Sequence, residues 1–100
     1  MIIEYEKGNL KEMNQTGIKI IDFYAEWCGP CKMMASVFAD IIQSNPNITI
    51  IKVNVDNNQN IAATYGVMSI PTVYIYKDNQ EINKFVGFID KNSIEAMIKS

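Results

Sequence analysis

Apolar residues along the 100-residue chain recur with two different periods, and the switches between them mark out the elements. Ile2–Tyr5 reads as a short strand and Asn9–Thr16 as a short helix stopped by Gly17. In Ile18–Ala25, the residues Ile18, Ile20, Ile21, Phe23, Tyr24 and Ala25 leave little room for a solvent face, which predicts a central strand covered on both sides. Met34, Val37, Phe38, Ile41 and Ile42 then fall at i, i+3, i+4, i+7 and i+8, a single buried stripe on a helix that ends near Asn45-Pro46. Ile48–Val55 is a second buried strand, and Asn60–Tyr65 a short helix closed by Gly66. Thr72–Lys77 and Glu81–Val86 flank the polar Asp78-Asn79-Gln80 and predict a hairpin. The last helix begins at Asp90 or Asn92, either of which can cap it, and buries Ile94, Met97 and Ile98. The order βαβαβαββα implies parallel pairs joined by right-handed crossovers plus one antiparallel hairpin, a three-layer α/β domain around a mixed sheet.

Composition narrows the chemistry. A chain of this length, 48% hydrophobic and 20% charged, supports one domain with one core. Its nine basic residues are all Lys and are scattered, and the net charge is -2, so the basic stripe of a nucleic-acid binder is missing. There is no His, which excludes Cys–His and Ser–His–Asp hydrolases and His-ligated metal sites. Polar residues interrupt every apolar run well short of the roughly 18 residues that cross a bilayer, and no signal-like segment opens the chain. The expected setting is therefore cytoplasmic.

The only two cysteines stand in Trp27-Cys28-Gly29-Pro30-Cys31, between the first long strand and the Met34 helix. A Cys-x-x-Cys at a strand–helix junction is the pattern of a redox dithiol. With Cys28 as N-cap and Cys31 at the third helical position, the free N–H of Cys31 can point at the Cys28 sulfur, and the positive helix end favours a thiolate there. An ordinary thiol of pKa about 8.5 is only about 3% ionised at pH 7, so such a bias matters. Pro30 is tolerated in the first turn, where its missing N–H costs nothing, and Gly29 lets a substrate backbone pass close to Cys28. Other readings of the pair stay open: a structural disulfide, weak because so short a loop contributes only roughly 2 kcal/mol; a metal site shared between two copies; or two inert thiols. Spacing, the Gly-Pro dipeptide and the helix start agree on the redox reading.

Several segments together resemble the thioredoxin family: Ile21-Asp22-Phe23-Tyr24-Ala25-Glu26-Trp27-Cys28-Gly29-Pro30-Cys31-Lys32, Lys52-Val53-Asn54-Val55-Asp56, Tyr65-Gly66-Val67-Met68-Ser69-Ile70-Pro71-Thr72, and Val86-Gly87. The resemblance spans essentially the whole chain and implies a thioredoxin fold with a central mixed five-stranded sheet in one domain over residues 1–100. It makes Cys28 the exposed attacking thiol and Cys31 the recessed resolving thiol. Asp22 becomes a buried proton acceptor beneath Cys31, with Lys52 on the neighbouring strand as its electrostatic partner. Gly29 and Pro30 are the active-site dipeptide, and Trp27, Ile70, Pro71 and Gly87 form a substrate-facing rim, with Pro71 preceded by a cis bond. On the residues alone, Trp27 has the lesser alternative of a partly buried core aromatic and Gly87 that of a strand kink, while Lys52 could equally be a lysine reaching to solvent.

The implied activity is reduction of protein disulfides by dithiol exchange, with no cofactor beyond the cysteine pair, a thioredoxin reductase as electron donor and the monomer as working unit. An oxidising or isomerising member of the same fold and a binding platform with incidental redox chemistry are the alternatives. Ser36 stands where the family often has a helix proline, so no kink is expected there; Tyr24 replaces a common Trp, Asn79 a hairpin Gly and Ser69 a frequent Gly.

Overall fold

The computed structural model describes residues 1–7, 14 and 16–99. Its elements are β1 (Ile2–Glu4), β2 (Ile18–Tyr24), α1 (Gly29–Ser44), β3 (Thr49–Asn54), α2 (Gln59–Thr64), β4 (Thr72–Lys77), β5 (Gln80–Val86) and α3 (Lys91–Lys99). The helix expected over Asn9–Thr16 lies outside the described residues, except for Asn14 and Thr16, which sit in bends. The strands form one five-stranded sheet in the order β1-β3-β2-β4-β5. β3 runs parallel to both β1 and β2, whereas β4 is antiparallel to β2 and to β5. This is the mixed sheet implied by the element order.

Two cores lie on opposite faces of the sheet, because neighbouring residues of a strand point to opposite sides. Ile20, Ile50, Val73 and Ile75 meet Met34, Phe38 and Ile41 of α1 and Ile94 of α3. Ile21, Phe23, Ile51, Val53 and Tyr74 meet Ala62 of α2 on the other face. There the Phe23, Tyr65 and Tyr74 rings contact one another at centroid distances of 5.2–6.1 Å, and the Tyr74 hydroxyl donates to the Tyr65 carbonyl at 2.8 Å. α2 and the loop after it are thereby fastened to the sheet. Helices on both faces make the expected three layers.

Local chemistry explains the boundaries. Asp90 is the N-cap of α3, accepting the Ser93 N–H at 2.9 Å, so the start at Asn92 is excluded. α1 runs unbroken past Ser36 to Ser44, and the Asn45 N–H and side-chain amide both donate to the Ile41 carbonyl. The hairpin turns through Asp78 and Asn79, both at positive φ (50° and 67°). Those conformations suit Asp and Asn better than most residues, which is how the turn forms without glycine. The Asp78 side chain accepts the Gly17 N–H at 2.8 Å, tying the hairpin to the start of β2. The outer edges belong to β1, only three residues long, and to β5, which carries Glu81 and Lys84 and an irregularity opposite Ile75/Tyr76. No helix among the described residues is long and apolar enough to cross a membrane.

Candidate active site

β2 ends at Tyr24, and a short turn delivers Cys28 as the N-cap of α1. Gly29 and Pro30 occupy the next two positions and Cys31 the third, where its N–H donates to the Cys28 sulfur at 3.2 Å. The two cysteines are joined as a disulfide with Cα atoms 5.2 Å apart. In this oxidised state Cys28 is 5% and Cys31 4% exposed, so the expectation of an exposed Cys28 over a recessed Cys31 is not met. The N-cap geometry turns the Cys28 sulfur back over the first turn, and the neighbouring Ile70 loop covers it, its carbonyl oxygen 4.0 Å away.

What separates the two cysteines is the space each one faces. Cys28 lines an open cleft of about 550 Å³ with Trp27, Gly29, Pro30, Met68 and Ile70. Cys31 instead lines a smaller cleft of about 280 Å³ with Tyr24, Glu26, Lys32 and Lys52. The first is lined almost wholly by apolar residues, whereas charged groups join the lining of the second.

The Cys28 cleft contains only some of the expected rim. Trp27 is 71% exposed rather than half-buried in the core, and its indole N–H is held by Asp56 at 2.9 Å. Ile70 precedes a cis bond to Pro71. Pro71 is buried behind the rim, and neither it nor Gly87 lines the cleft. The two are linked to each other instead, the Gly87 N–H donating to the Pro71 carbonyl at 2.8 Å. Gly87 has φ +88°, so its backbone, more than open space beside it, accounts for a glycine there. Met68, 96% exposed, is a wall residue that the sequence reading did not single out. Its position just ahead of Ile70-Pro71 was the available signal.

Asp22 is fully buried on β2, and neither carboxyl oxygen has a hydrogen-bond partner among the described residues. Burial pushes its pKa up to about 7; the nearby Lys52 charge opposes this and Glu4 adds to it. Lys52 is in register with Asp22 across β2 and β3. Its ammonium, however, lies 4.4 Å from the centre of the Tyr24 ring, a cation–π contact, and makes no hydrogen bond to the carboxyl. The Tyr24 hydroxyl donates to Glu4 at 2.6 Å. Among the described residues, no group of three or more Cys, Asp or Glu side chains is arranged to hold a metal ion.

Comparison with known proteins bears on the same geometry. The thioredoxin family model matches residues 3–100. A thioredoxin of Chlamydia trachomatis is 39% identical over 98 residues, covering 98% of this chain and 96% of that one. A thioredoxin of Staphylococcus haemolyticus is 39% identical over 98 residues, covering 97% and 94%. Among solved structures, a mutant thioredoxin from Halobacterium salinarum superposes with a TM-score of 0.85 at 27% identity, covering 99% of this chain and 87% of that one. A chain from a study of the thiol resolving mechanism in yeast mitochondrial 1-Cys peroxiredoxin via glutathione/thioredoxin systems gives 0.83 at 34% identity, covering 98% and 93%. A Cys-x-x-Cys pair at the start of a helix, on this sheet and across this length of shared sequence, leaves one assignment: the chain belongs to the thioredoxin family and is a thiol-disulfide oxidoreductase.

Proposed function

We propose that the chain, as a single domain over residues 1–100 and a monomer, is a reducing dithiol carrier of the cytoplasm, re-reduced by a thioredoxin reductase and acting on disulfide-containing proteins. The thiolate of Cys28 attacks a target disulfide, forming a Cys28–target bond and releasing one target thiolate. Cys31 then gives up its proton to Asp22 and attacks the Cys28 sulfur. The mixed disulfide breaks, the second target thiolate leaves, and the Cys28–Cys31 disulfide remains, so two electrons have passed from the pair to the target. The dithiol itself is the redox centre and no cofactor takes part.

Each expected residue has a part in this reading. The Cys31 N–H and the positive end of α1 stabilise sulfur charge at Cys28. Gly29 leaves the approach open, with nothing within 4 Å of where a side chain would begin, and Pro30 occupies the first turn without a donor to satisfy. Trp27 and Ile70 supply the contact surface for an extended substrate segment, while Pro71 and Gly87 hold the backbone of that rim. Asp22 is matched to its task because a carboxyl near neutral pH can both take and release a proton there. Lys52 moderates the cost of its charge.

The observation that carries this reading is the opening of Cys28 and Cys31 onto separate clefts, the second of which has Glu26, Lys32 and Lys52 in its lining. Equilibration of the pair against a glutathione series, run beside a protein-disulfide reduction assay with a reductase, tests it. A reducing poise with turnover of protein disulfides is expected. A strongly oxidising poise would instead make the chain an oxidising or isomerising member of the family.

A further inference from the structure

Three ionisable side chains form one row across three strands. Glu4 of β1 is in register with Lys52 of β3, and Lys52 with Asp22 of β2. In-register residues of adjacent strands project to the same face about 4.8 Å apart, so a single ammonium stands between two carboxyls. The row runs from exposed Glu4 through half-buried Lys52 to fully buried Asp22. Tyr24, two residues beyond Asp22 and so on the same face, spans the outer half of it. Its hydroxyl donates to Glu4 at 2.6 Å, and its ring receives the Lys52 ammonium at 4.4 Å. A phenol that donates to a carboxylate has a more electron-rich ring, which strengthens its hold on a cation. Both Asp22 oxygens meanwhile lack a hydrogen-bond partner among the described residues.

We propose that Glu4 is a positioning residue for the resolving step: through Tyr24 it holds the Lys52 ammonium outward, off the Asp22 carboxyl. The proposal rests on the reading of Asp22 as the acceptor of the Cys31 proton. An ammonium seated on that carboxyl would stabilise its charge and make it a poor base; one drawn aside leaves it able to take a proton near neutral pH. The other groups around the site do not duplicate this role. β4 places uncharged Val73 in register with Asp22, while Glu26 and Lys32 stand with Cys31 around the cleft.

The test uses the full chain and two readouts: the titration midpoint of the Asp22 carboxyl carbon by NMR, and the pH profile of mixed-disulfide resolution in single turnover. Glu4→Gln preserves size and an acceptor for the Tyr24 hydroxyl but removes the charge, and Glu4 is exposed, so folding is not at stake. Both midpoints should move down by roughly half a pH unit, the scale of one charge about 10 Å away plus a released ammonium. Tyr24→Phe should move them the same way. In a Lys52→Met background Glu4→Gln should shift them less, because no ammonium remains to be redirected. An unmoved midpoint in Glu4→Gln, or an equally large shift with Lys52 absent, overturns the proposal. The underlying reading fails separately: if Asp22→Asn leaves the resolution profile of the wild type intact, Asp22 is not the acceptor, and Glu4 has no step to serve.

Discussion

The two sides of the disulfide are built to different rules although only Gly29 and Pro30 separate Cys28 from Cys31. On the Cys28 side, exposed Trp27 and Met68 and half-exposed Ile70 border an open apolar cleft. On the Cys31 side, charged and hydroxyl-bearing groups help to border a smaller cleft, and one of them, Lys52, is in register with the buried Asp22. Under the roles proposed above, the difference matches what each cysteine would meet. An attacking sulfur meets a polypeptide, where apolar contact and backbone approach give affinity without demanding one sequence. A resolving sulfur meets a sulfur already bonded to its partner, and its difficulty is the loss of a proton.

The contrast can be broken at its centre first. Cys28→Ser should reduce turnover of protein disulfides by roughly three orders of magnitude or more. Cys31→Ser should also stop turnover but accumulate mixed disulfides with target proteins, visible by mass spectrometry. Trapping by the Cys28→Ser variant instead would reverse the assignment.

Removing the proposed proton acceptor should act on one side only. Asp22→Asn should slow resolution about a hundredfold while leaving first attack nearly unchanged, the range expected for loss of a general base. The same variant carries a stability signature of known sign. The Asp22 carboxyl titrates at about 7 when folded, against an ordinary value of 3.8. Between those pH values the unfolded chain has lost the proton and the folded chain retains it, so the wild type is destabilised by this group as pH rises and levels off above 7. The stability of Asp22→Asn relative to the wild type should therefore grow between pH 4 and 7, by on the order of 4 kcal/mol, and then stay constant. Denaturant unfolding across that range measures it; a flat difference would mean that Asp22 is already ionised in the fold.

A smaller effect should separate the sides by substrate. Ile70→Asp should lower reduction of protein disulfides about tenfold to thirtyfold and barely touch small-molecule disulfides, since on the proposed reading only the former use the cleft walls. Equal losses would place Ile70 in the chemistry rather than in recognition. The least effect is expected at Gly87. Gly87→Ala meets no neighbour within 4 Å but must adopt φ near +88°, which costs about 1–2 kcal/mol. Its denaturant midpoint should fall while small-disulfide reduction persists.

Much of this was legible in the chain because its local signals agree. The Met34–Ile42 stripe, the Ile- and Val-rich strands and the Cys28 N-cap each depend on neighbours close in sequence, and each reappears in the fold. Element ends moved by a residue or two, and Asp90 prevailed over Asn92 because its side chain reaches the Ser93 N–H. The pairing of the two clefts was not legible. It depends on which way the sulfurs face once Ile70, distant in sequence, closes over Cys28. Lys19 was hidden for a similar reason: it lies in an apolar run, yet its ammonium finds Asn79 at 3.5 Å and the Tyr76 ring at 4.7 Å, partners only the β2–β4–β5 arrangement supplies. The Tyr24–Glu4 bond likewise joins residues brought together only by the order β1-β3-β2.

The sheet edges have a bearing on selectivity. A protein acting on disulfide-containing proteins risks pairing with an extended segment of them wherever a strand presents unpaired N–H and C=O groups. Here one edge is only the three-residue β1, and the other, β5, is broken in register and carries Glu81 and Lys84. Neither gives an incoming strand a long, flat, apolar template, so a client is discouraged from adding itself to the sheet. On the proposed reading, this leaves the loop at Ile70, whose carbonyl lies 4.0 Å from the Cys28 sulfur, as the place for a client backbone to rest. On that reading, the blunt edges steer clients away from the sheet and toward the disulfide.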